Sequence, residues 1–271
     1  MTGEKIMTSE MVGLRFTNEK IAKHWQVDVT KKSFNRMLNH IEVRTNFRVF
    51  FEHAFGQLLK KRTENNLIIL DLGGGVGWTS ALMALNSRVK KVILVEPSST
   101  RRLISPYIAS HFGVPKEKIE VIDGTFQEFN LEVKVDIVVM SASIHHCYDE
   151  YIPKLFHNIE TCLIDPYGEA RILIANEHVV TKFWVIKRFG ALLKNIFLNR
   201  KHNIFYSLFN LRAPYPGDAE HWRTKKEINK IITNHGYTNN FNRNNGDLCI
   251  KNPSYFTKIQ WVYYYSILDK K

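Results

Sequence analysis

The middle of the chain alternates short apolar runs with longer amphipathic segments. The apolar runs predict five strands, at residues 67–70, 92–95, 119–122, 135–140 and 171–175. Apolar side chains at helical spacing predict the helices between them, at residues 78–86, 99–112 and 151–162. Strands that alternate with helices are typical of βαβ units, whose strands pair in parallel. Each strand is a continuous apolar run, as expected when helices cover both faces of the sheet.

Amphipathic segments also flank this alternating region. Residues 14–62 are predicted to be helical, because apolar side chains recur there at helical spacing among basic residues. Towards the other end, residues 224–235 predict a helix with Thr224 as its N-cap, Glu227 at capping-box spacing and Gly236 as its stop. Two final strands are predicted, at residues 237–243 and 259–267.

A glycine-rich turn follows the first strand and precedes the next helix. It contains Asp71, Gly73, Gly75 and Gly77 at alternate positions. Glycines let the backbone approach a ligand closely and adopt positive φ, and a helix N-terminus offers unpaired N–H groups. Glu96 ends the second strand about 20 residues later, where a carboxylate can accept hydrogen bonds from both ribose hydroxyls. Together these features predict an adenosine-containing ligand.

The spacing of the turn distinguishes between such ligands. A nicotinamide site has the pattern GxGxxG around a pyrophosphate, whereas this turn reads GxGxG with an acid before it. Asp71 would repel a diphosphate but would attract the ammonium group of a methionine moiety. In the segment DLGGGVG the chain resembles the class I methyltransferases that use S-adenosylmethionine (SAM), whose first motif is (D/E)xGxGxG. The resemblance is close over about residues 65–178 and loose over the last fifty.

The resemblance implies that SAM is the cofactor and S-adenosylhomocysteine (SAH) the product. It also implies a set of cofactor-binding residues: Asp71, Gly73, Gly75, Gly77, Glu96, Asp123, Gly124 and Ser141. In this set Asp123 matches the acid that flanks the adenine at the end of strand three, and Ser141 lies in the loop after strand four. Asp123 and Gly124 are also an ordinary turn signal, and glycines alone are compatible with a tight turn.

The fold class that follows is α/β. We expect a Rossmann-like, seven-stranded, mostly parallel sheet with helices on both faces, an N-terminal helical cap and a helical insert after strand five. Four segments are predicted: a cap at residues 1–62, a SAM-binding core at 63–178, a basic amphipathic insert or lid at 179–222, and the C-terminal part of the core sheet at 223–271.

Candidates for chemistry lie just after the strands, where open α/β sheets bind ligands. His145 and His146 follow strand four and are the predicted catalytic residues, as a general base or a substrate contact; packing against the loop is the alternative. Two further pairs are predicted substrate contacts: Glu177 with His178, and His221 with Trp222. No metal site is predicted, because the scattered histidines lack ligand spacing.

The chain carries 38 Lys and Arg against 26 Asp and Glu, a net charge of +12. Residues 179–217 contain no acid, and Lys187, Lys194 and Lys201 recur every seven residues on one side of a predicted helix. We expect this insert to pack on the domain and line the acceptor pocket. The alternatives are peripheral contact with an anionic membrane through residues 182–201, a lipid-linked or phosphorylated substrate, or nucleic acid.

A cytoplasmic location is predicted, with membrane association as the alternative. The three cysteines have no disulfide or zinc spacing, which fits a reducing compartment. The N-terminal residues lack the apolar core of a signal peptide, and no apolar run reaches the ~18 residues of a membrane span.

The favoured function is methylation of a small-molecule hydroxyl, on a sugar, a nucleotide sugar or a related metabolite. An RNA methyltransferase is favoured by the charge, but MSAS stands where adenine-modifying enzymes have an NPPY-like tetrad. A non-catalytic SAM-binding protein is a third reading, and the glycine spacing disfavours a nicotinamide oxidoreductase. The sequence leaves the acceptor and the oligomeric state open.

Overall fold

The computed structural model describes residues 31–44, 47–179, 223–243 and 262–270. Its α-helices are α1 (Lys31–Asn39), α2 (Phe47–Lys60), α3 (Trp78–Ala84), α4 (Ser99–His111), α5 (Ile152–Cys162) and α6 (Lys225–Asn234). Its strands are β1 (Leu67–Leu72), β2 (Val89–Val95), β3 (Ile119–Ile122), β4 (Ile137–Ser141), β5 (Gly168–Val179), β6 (Tyr237–Arg243) and β7 (Val262–Lys270). A π-helical turn, His40–Arg44, follows α1, and short 3₁₀ turns are formed by Lys116–Lys118, Ile144–His146 and Asp149–Tyr151.

The seven strands form one sheet in the order β3-β2-β1-β4-β5-β7-β6. Strands β1 to β5 pair in parallel, and β7 pairs antiparallel with both β5 and β6. The predicted seven-stranded, mostly parallel sheet is therefore confirmed. The strand order reverses beside β1, where β2 lies on one side and β4 on the other. In open α/β sheets a ligand crevice forms at this reversal, outside the carboxyl ends of the strands.

Helices cover both faces of the sheet, as the continuous apolar strands predicted. One face buries Ile69, Val92 and Val139 against α2, α3 and α4. The other face buries Leu70 and Met140 against α5 and α6. Adjacent residues of one strand thus enter different cores, because successive side chains of a strand point to opposite faces.

The predicted element positions hold most closely where the signals are local. Strands β3 and β6 begin and end where predicted, and α6 has the capping box between Thr224 and Glu227. Strand β7 ends three residues beyond its predicted end, and β5 continues past Ala175 to Val179. The extension of β5 follows a register irregularity between Ile174 and Glu177. The sequence pattern gave no sign of this continuation, because residues 176–178 are polar.

Several predictions fall on residues outside the described part of the chain. These are the helical assignment of residues 14–30, the insert from residue 180, and the candidates His221 and Trp222. Among the helices that are described, none is both long and apolar enough to cross a membrane.

Candidate functional site

The glycine turn between β1 and α3 adopts the backbone that its sequence predicts. Gly73, Gly75 and Gly77 have φ of 74°, 61° and 78°, in the left-handed region that favours glycine. Gly74 was not singled out from the sequence, yet a Cβ on it would lie 2.5 Å from Asp71 Oδ2. Position 74 thus requires a glycine, because the turn folds back over the Asp71 carboxylate there.

Asp71 is fully buried beneath this turn. Its Oδ2 accepts hydrogen bonds of 2.6 Å from the hydroxyls of Thr79 and Ser80, in the first turn of α3. Oδ1 is buried and has no hydrogen-bond partner among the described residues. Burial raises the pKa of Asp71 to about 6; the two hydroxyls oppose the rise and the charge of Glu96 adds to it.

Glu96, at the end of β2, is also buried and faces the turn from the neighbouring strand. Its Oε2 accepts from Gly75 N at 3.0 Å, and its Oε1 accepts from Ser98 N at 2.9 Å. Burial raises the pKa of Glu96, against the attraction of the nearby Arg101 guanidinium. Each carboxylate oxygen uses one acceptor site for a backbone N–H, so a second remains for a ligand hydroxyl.

The end of β3 lies beside the end of β2, and its acid is held differently. Asp123 is largely exposed, and its Oδ1 accepts a 2.7 Å hydrogen bond from Arg102 Nη1. Arg102 also donates to the carbonyl oxygens of Glu96 and Pro97, so one guanidinium fixes the β2 and β3 ends together. Gly124 allows the next turn to close, since a Cβ there would lie 2.8 Å from Phe129 Cβ.

Ser141 ends β4 on the other side of β1. It is buried, and its hydroxyl has no hydrogen-bond partner among the described residues. The next residue, Ala142, has a φ of 50°, which is unusual for a residue with a Cβ. Such backbone conformations cluster at functional sites, where the surrounding structure enforces them.

A cleft of about 550 Å³ opens over these elements, a size typical of small-molecule sites. One wall is the glycine turn with Trp78, and another is Ser141, Ala142 and His146. The remaining wall comes from α1, the π-helical turn, α2 and α4: Arg36, Met37, His40, Ile41, Phe47 and Arg101. Among the described residues, those that line the cleft include four basic side chains and no acid.

The predicted catalytic histidines lie in the 3₁₀ turn that follows β4. The rings of His145 and His146 contact each other with centroids 3.8 Å apart, and His146 lines the cleft. His145 Nδ1 lies 2.8 Å from Glu177 Oε2. The two histidines therefore form one unit, with His146 at the cleft and His145 fastened to β5.

Glu177, predicted to contact substrate, lies behind the histidines. Its side chain is 2% exposed. Its Oε1 accepts from the backbone N–H groups of Ser143, at 2.5 Å, and Ile144, at 2.8 Å. Both carboxylate oxygens are thus bonded to the turn that carries the histidines, residues 143–147, here called the histidine turn. Glu177 can therefore act on a substrate through His145. The next residue, His178, belongs to β5.

Arg223 holds the same turn from the opposite side and was not a sequence candidate. Its buried guanidinium donates to the carbonyl oxygens of Ile144 and Cys147. It also makes two hydrogen bonds to Asp149 Oδ1, at 2.9 and 2.8 Å. An arginine directly before a capped helix gave no sign of this role, because its partners lie more than 70 positions earlier in the chain.

The two described cysteines, Cys147 and Cys162, are buried. Burial raises the pKa of the Cys147 and Cys162 thiols to about 12, which keeps both protonated at neutral pH. No cluster of three or more His, Cys, Asp or Glu side chains suited to a metal ion occurs among the described residues.

The predicted cofactor fits the groups present. The sulfonium and ammonium of SAM are cationic, and the glycine turn is backed by two buried carboxyls, Asp71 and Glu96. Asp71 Oδ1 and the Ser141 hydroxyl are buried acceptors without partners in the described chain, as expected of atoms that pair with a ligand. The turn itself leaves the backbone free of side chains where the ligand would lie.

Comparison with known proteins points the same way. A family profile described as a methyltransferase domain matches residues 70–166, which include the glycine turn, Glu96 and both histidines. The ribosomal RNA small subunit methyltransferases G of Orientia tsutsugamushi strains Ikeda and Boryong are 32% and 30% identical over 111 residues. These alignments cover 40% of this chain and 53% of each relative, so the chain spans about half the length of the curated relatives it matches.

Solved structures share the fold. The magnesium protoporphyrin IX methyltransferase of Synechocystis PCC 6803 with bound SAH is 12% identical, with a TM-score of 0.57 over 93% of this chain and 99% of that one. The plantazolicin methyltransferase BpumL in complex with SAH is 11% identical, with a TM-score of 0.55 over 96% and 98%. Residues 70–166 therefore match a methyltransferase domain, in a fold shared with methyltransferases solved with bound SAH.

Proposed function

We propose that this protein transfers the methyl group of SAM to a hydroxyl of an anionic small molecule. The observation that carries the proposal is that a single cleft joins the glycine turn to the histidine unit: Gly73, Gly75 and His146 all line it. Cofactor and proton acceptor would then meet in one open cleft of about 550 Å³.

The roles of the residues follow from their chemistry. SAM, when bound, supplies a methyl group already activated by its sulfonium. Asp71 and Ser141 would hold the methionine moiety, and Glu96 would accept the ribose hydroxyls. The histidine unit would accept the proton that an attacking hydroxyl loses. The protein otherwise contributes position, since an in-line transfer depends on the approach of the two reacting atoms.

The class of the acceptor is supported by the charge of the cleft. Its lining in the described part of the chain contains Arg36, Arg101, His40 and His146 and no acid. Arginine suits phosphate and carboxylate groups, which its planar fork can bind in a bidentate manner. One arginine can serve the carboxylate of the methionine moiety, which leaves another for the acceptor. A nucleotide sugar or another phosphorylated metabolite carries both the anion and the hydroxyls that this arrangement requires.

Calorimetric titration of SAM and SAH tests the first step. We expect micromolar binding by the wild-type protein and at least tenfold weaker binding by Glu96→Ala, which corresponds to about 1.4 kcal/mol. The matched control is Glu120→Ala, a partly exposed glutamate on β3 that pairs with Lys91, and it should bind like wild type. Absence of binding by folded wild-type protein would overturn the proposal, and NADH would be the next ligand.

A second acceptor class is favoured by one observation. The curated relatives at 32% and 30% identity are named for ribosomal RNA methylation. RNA would bind across the surface of the protein rather than within the cleft alone. An RNA acceptor would therefore require basic side chains around the cleft, whereas a small anionic acceptor requires them only inside it.

A further inference from the structure

We infer that Glu177 is a positioning residue that fixes the tautomer of His145, with the proton on Nδ1 and the lone pair on Nε2. The inference concerns the state of one imidazole ring. Its catalytic consequence rests on the proposed function, but the tautomer itself does not.

The two carboxylate oxygens of Glu177 have different hydrogen-bond partners. Oε1 accepts from two backbone N–H groups, those of Ser143 and Ile144. A carboxylate has acceptor sites and no proton to donate. Oε2 faces His145 Nδ1 at 2.8 Å. A hydrogen bond at this distance then requires the proton to be on Nδ1, and in the neutral ring the Nε2 nitrogen is the acceptor.

The backbone around the ring is held so that the ring cannot easily escape this contact. Glu177 fixes the N–H groups at the start of the turn, and Arg223 fixes the carbonyl oxygens of Ile144 and Cys147. The glutamate lies on β5 and the arginine directly precedes Thr224, the N-cap of α6, so two oppositely charged side chains from different parts of the fold hold the turn. Because both side chains are buried, water competes little for either set of hydrogen bonds.

The tautomer decides what the histidine unit can do at the cleft. A ring with Nδ1–H bonded to a carboxylate is oriented and presents a basic Nε2, and the resulting imidazolium is stabilised by the same carboxylate. His146 contacts this ring and lines the cleft. A proton accepted at the cleft would therefore give the histidine unit a positive charge, and the carboxylate of Glu177 would balance that charge.

The inference is tested by determining the tautomer of His145 from long-range ¹H–¹⁵N correlation spectra of the uniformly ¹⁵N-labelled full chain at pH 8. His145→Gln identifies the signals of His145 by their loss. In wild type we expect a protonated Nδ1 and an unprotonated Nε2. In Glu177→Gln the carbonyl oxygen should keep the two backbone donors, so the amide –NH₂ replaces Oε2 and donates to Nδ1. The ring should then change to the Nε2–H form.

Controls separate this role from a structural one. Glu160→Gln makes the same chemical change in α5, at a carboxylate that pairs with Lys270, and should leave the spectrum of His145 as in wild type. Glu177→Gln should bind SAH within about twofold of wild type, since Glu177 does not line the cleft. With an acceptor in hand, kcat should fall by about 100-fold or more while KM is kept, the size of a general-base contribution.

Two results would overturn the inference: an Nε2–H tautomer of His145 in wild type, or a tautomer that Glu177→Gln leaves unchanged. The first needs no variant, so the inference can fail even if Glu177→Gln does not fold. Failure of wild type to bind SAH, with His145 in the Nδ1–H form, would sink the proposed function and leave this inference standing.

Discussion

At position 71 the chain completely buries an ionisable carboxyl group. Its pKa is raised from 3.8 to about 6, mainly by burial. For an acid with a raised pKa in the folded state, the contribution to stability is most favourable below the unfolded pKa. It is lost as the pH rises from about 4 through about 6. A shift of this size corresponds to about 3 kcal/mol at most. The carboxyl group thus costs stability at neutral pH, at the position where a cationic ligand would benefit from it.

Asp71→Asn tests this cost. The amide oxygen can still accept from Thr79 and Ser80, while the buried charge is removed. We expect the free energy of unfolding, measured by urea denaturation without ligand, to rise by about 1–3 kcal/mol at pH 8 and to change little at pH 4. SAM binding at pH 8 should weaken. Asp165→Asn, at an exposed carboxylate that pairs with Arg171, is the control and should show neither effect. A loss of stability at pH 8 would show that the charge of Asp71 stabilises the free protein.

At the scale of elements, the histidine turn links three parts of the fold that are far apart in sequence. It follows β4, is bonded by Glu177 from β5, and is bonded by Arg223 from the start of α6. The Ile144 carbonyl oxygen accepts from Cys147 N as well as from Arg223, and the Cys147 carbonyl oxygen accepts from Arg223. The arginine therefore supports the site and the attachment of α6 together.

Arg223→Ala should lower the free energy of unfolding by about 2–4 kcal/mol, because the carbonyl oxygens of Ile144 and Cys147 each lose a buried, charged donor. The contact with Asp149 adds little to this figure, since the Asp149 side chain is 65% exposed. Chemical denaturation at pH 7 measures the change. The control is Arg48→Ala, which removes two partly exposed ion pairs and should cost within about 0.5 kcal/mol. Equal effects of the two variants would contradict the role given to Arg223.

The same elements show what the sequence could and could not predict. The glycine turn and the capping box of α6 were predictable because their signals lie within a few residues of each other, and Glu96 because it ends the strand that follows the turn. The engagement of Glu177 with the histidine turn was not, because it depends on β4 and β5 being neighbours and on the irregularity in β5. The sequence predicted that Glu177 lies at the site, but as a contact of the substrate rather than of the histidine turn. Arg223 was missed because charge and spacing say nothing about partners brought close only by the sheet order.

At the scale of the whole molecule, the positive charge is unevenly distributed along the chain. Residues 61–179, which contain most of the candidate site, have 12 Lys and Arg against 15 Asp and Glu. The surplus behind the net charge of +12 therefore lies in the flanking segments and in residues 180–222. A protein that reads RNA next to its catalytic cleft would be expected to carry basic charge around that cleft. In the described part of the chain, the basic side chains that line the cleft are Arg36, His40, Arg101 and His146.

This distribution of charge predicts that the protein binds RNA without sequence preference. A small-subunit ribosomal RNA fragment and a scrambled RNA of equal length should bind alike, with Kd of about 10⁻⁶–10⁻⁴ M near physiological salt. Affinity should fall steeply between 50 and 300 mM salt, because such binding depends on counterion release. Filter binding with and without SAH measures both properties, and Arg36→Ala should leave them unchanged while it weakens binding of an anionic acceptor. If the ribosomal fragment binds at least 100-fold more tightly than the scrambled RNA, and Arg36→Ala removes that preference, the cleft serves an RNA nucleotide. The cofactor site would then stand as described, and the acceptor proposal would pass to RNA.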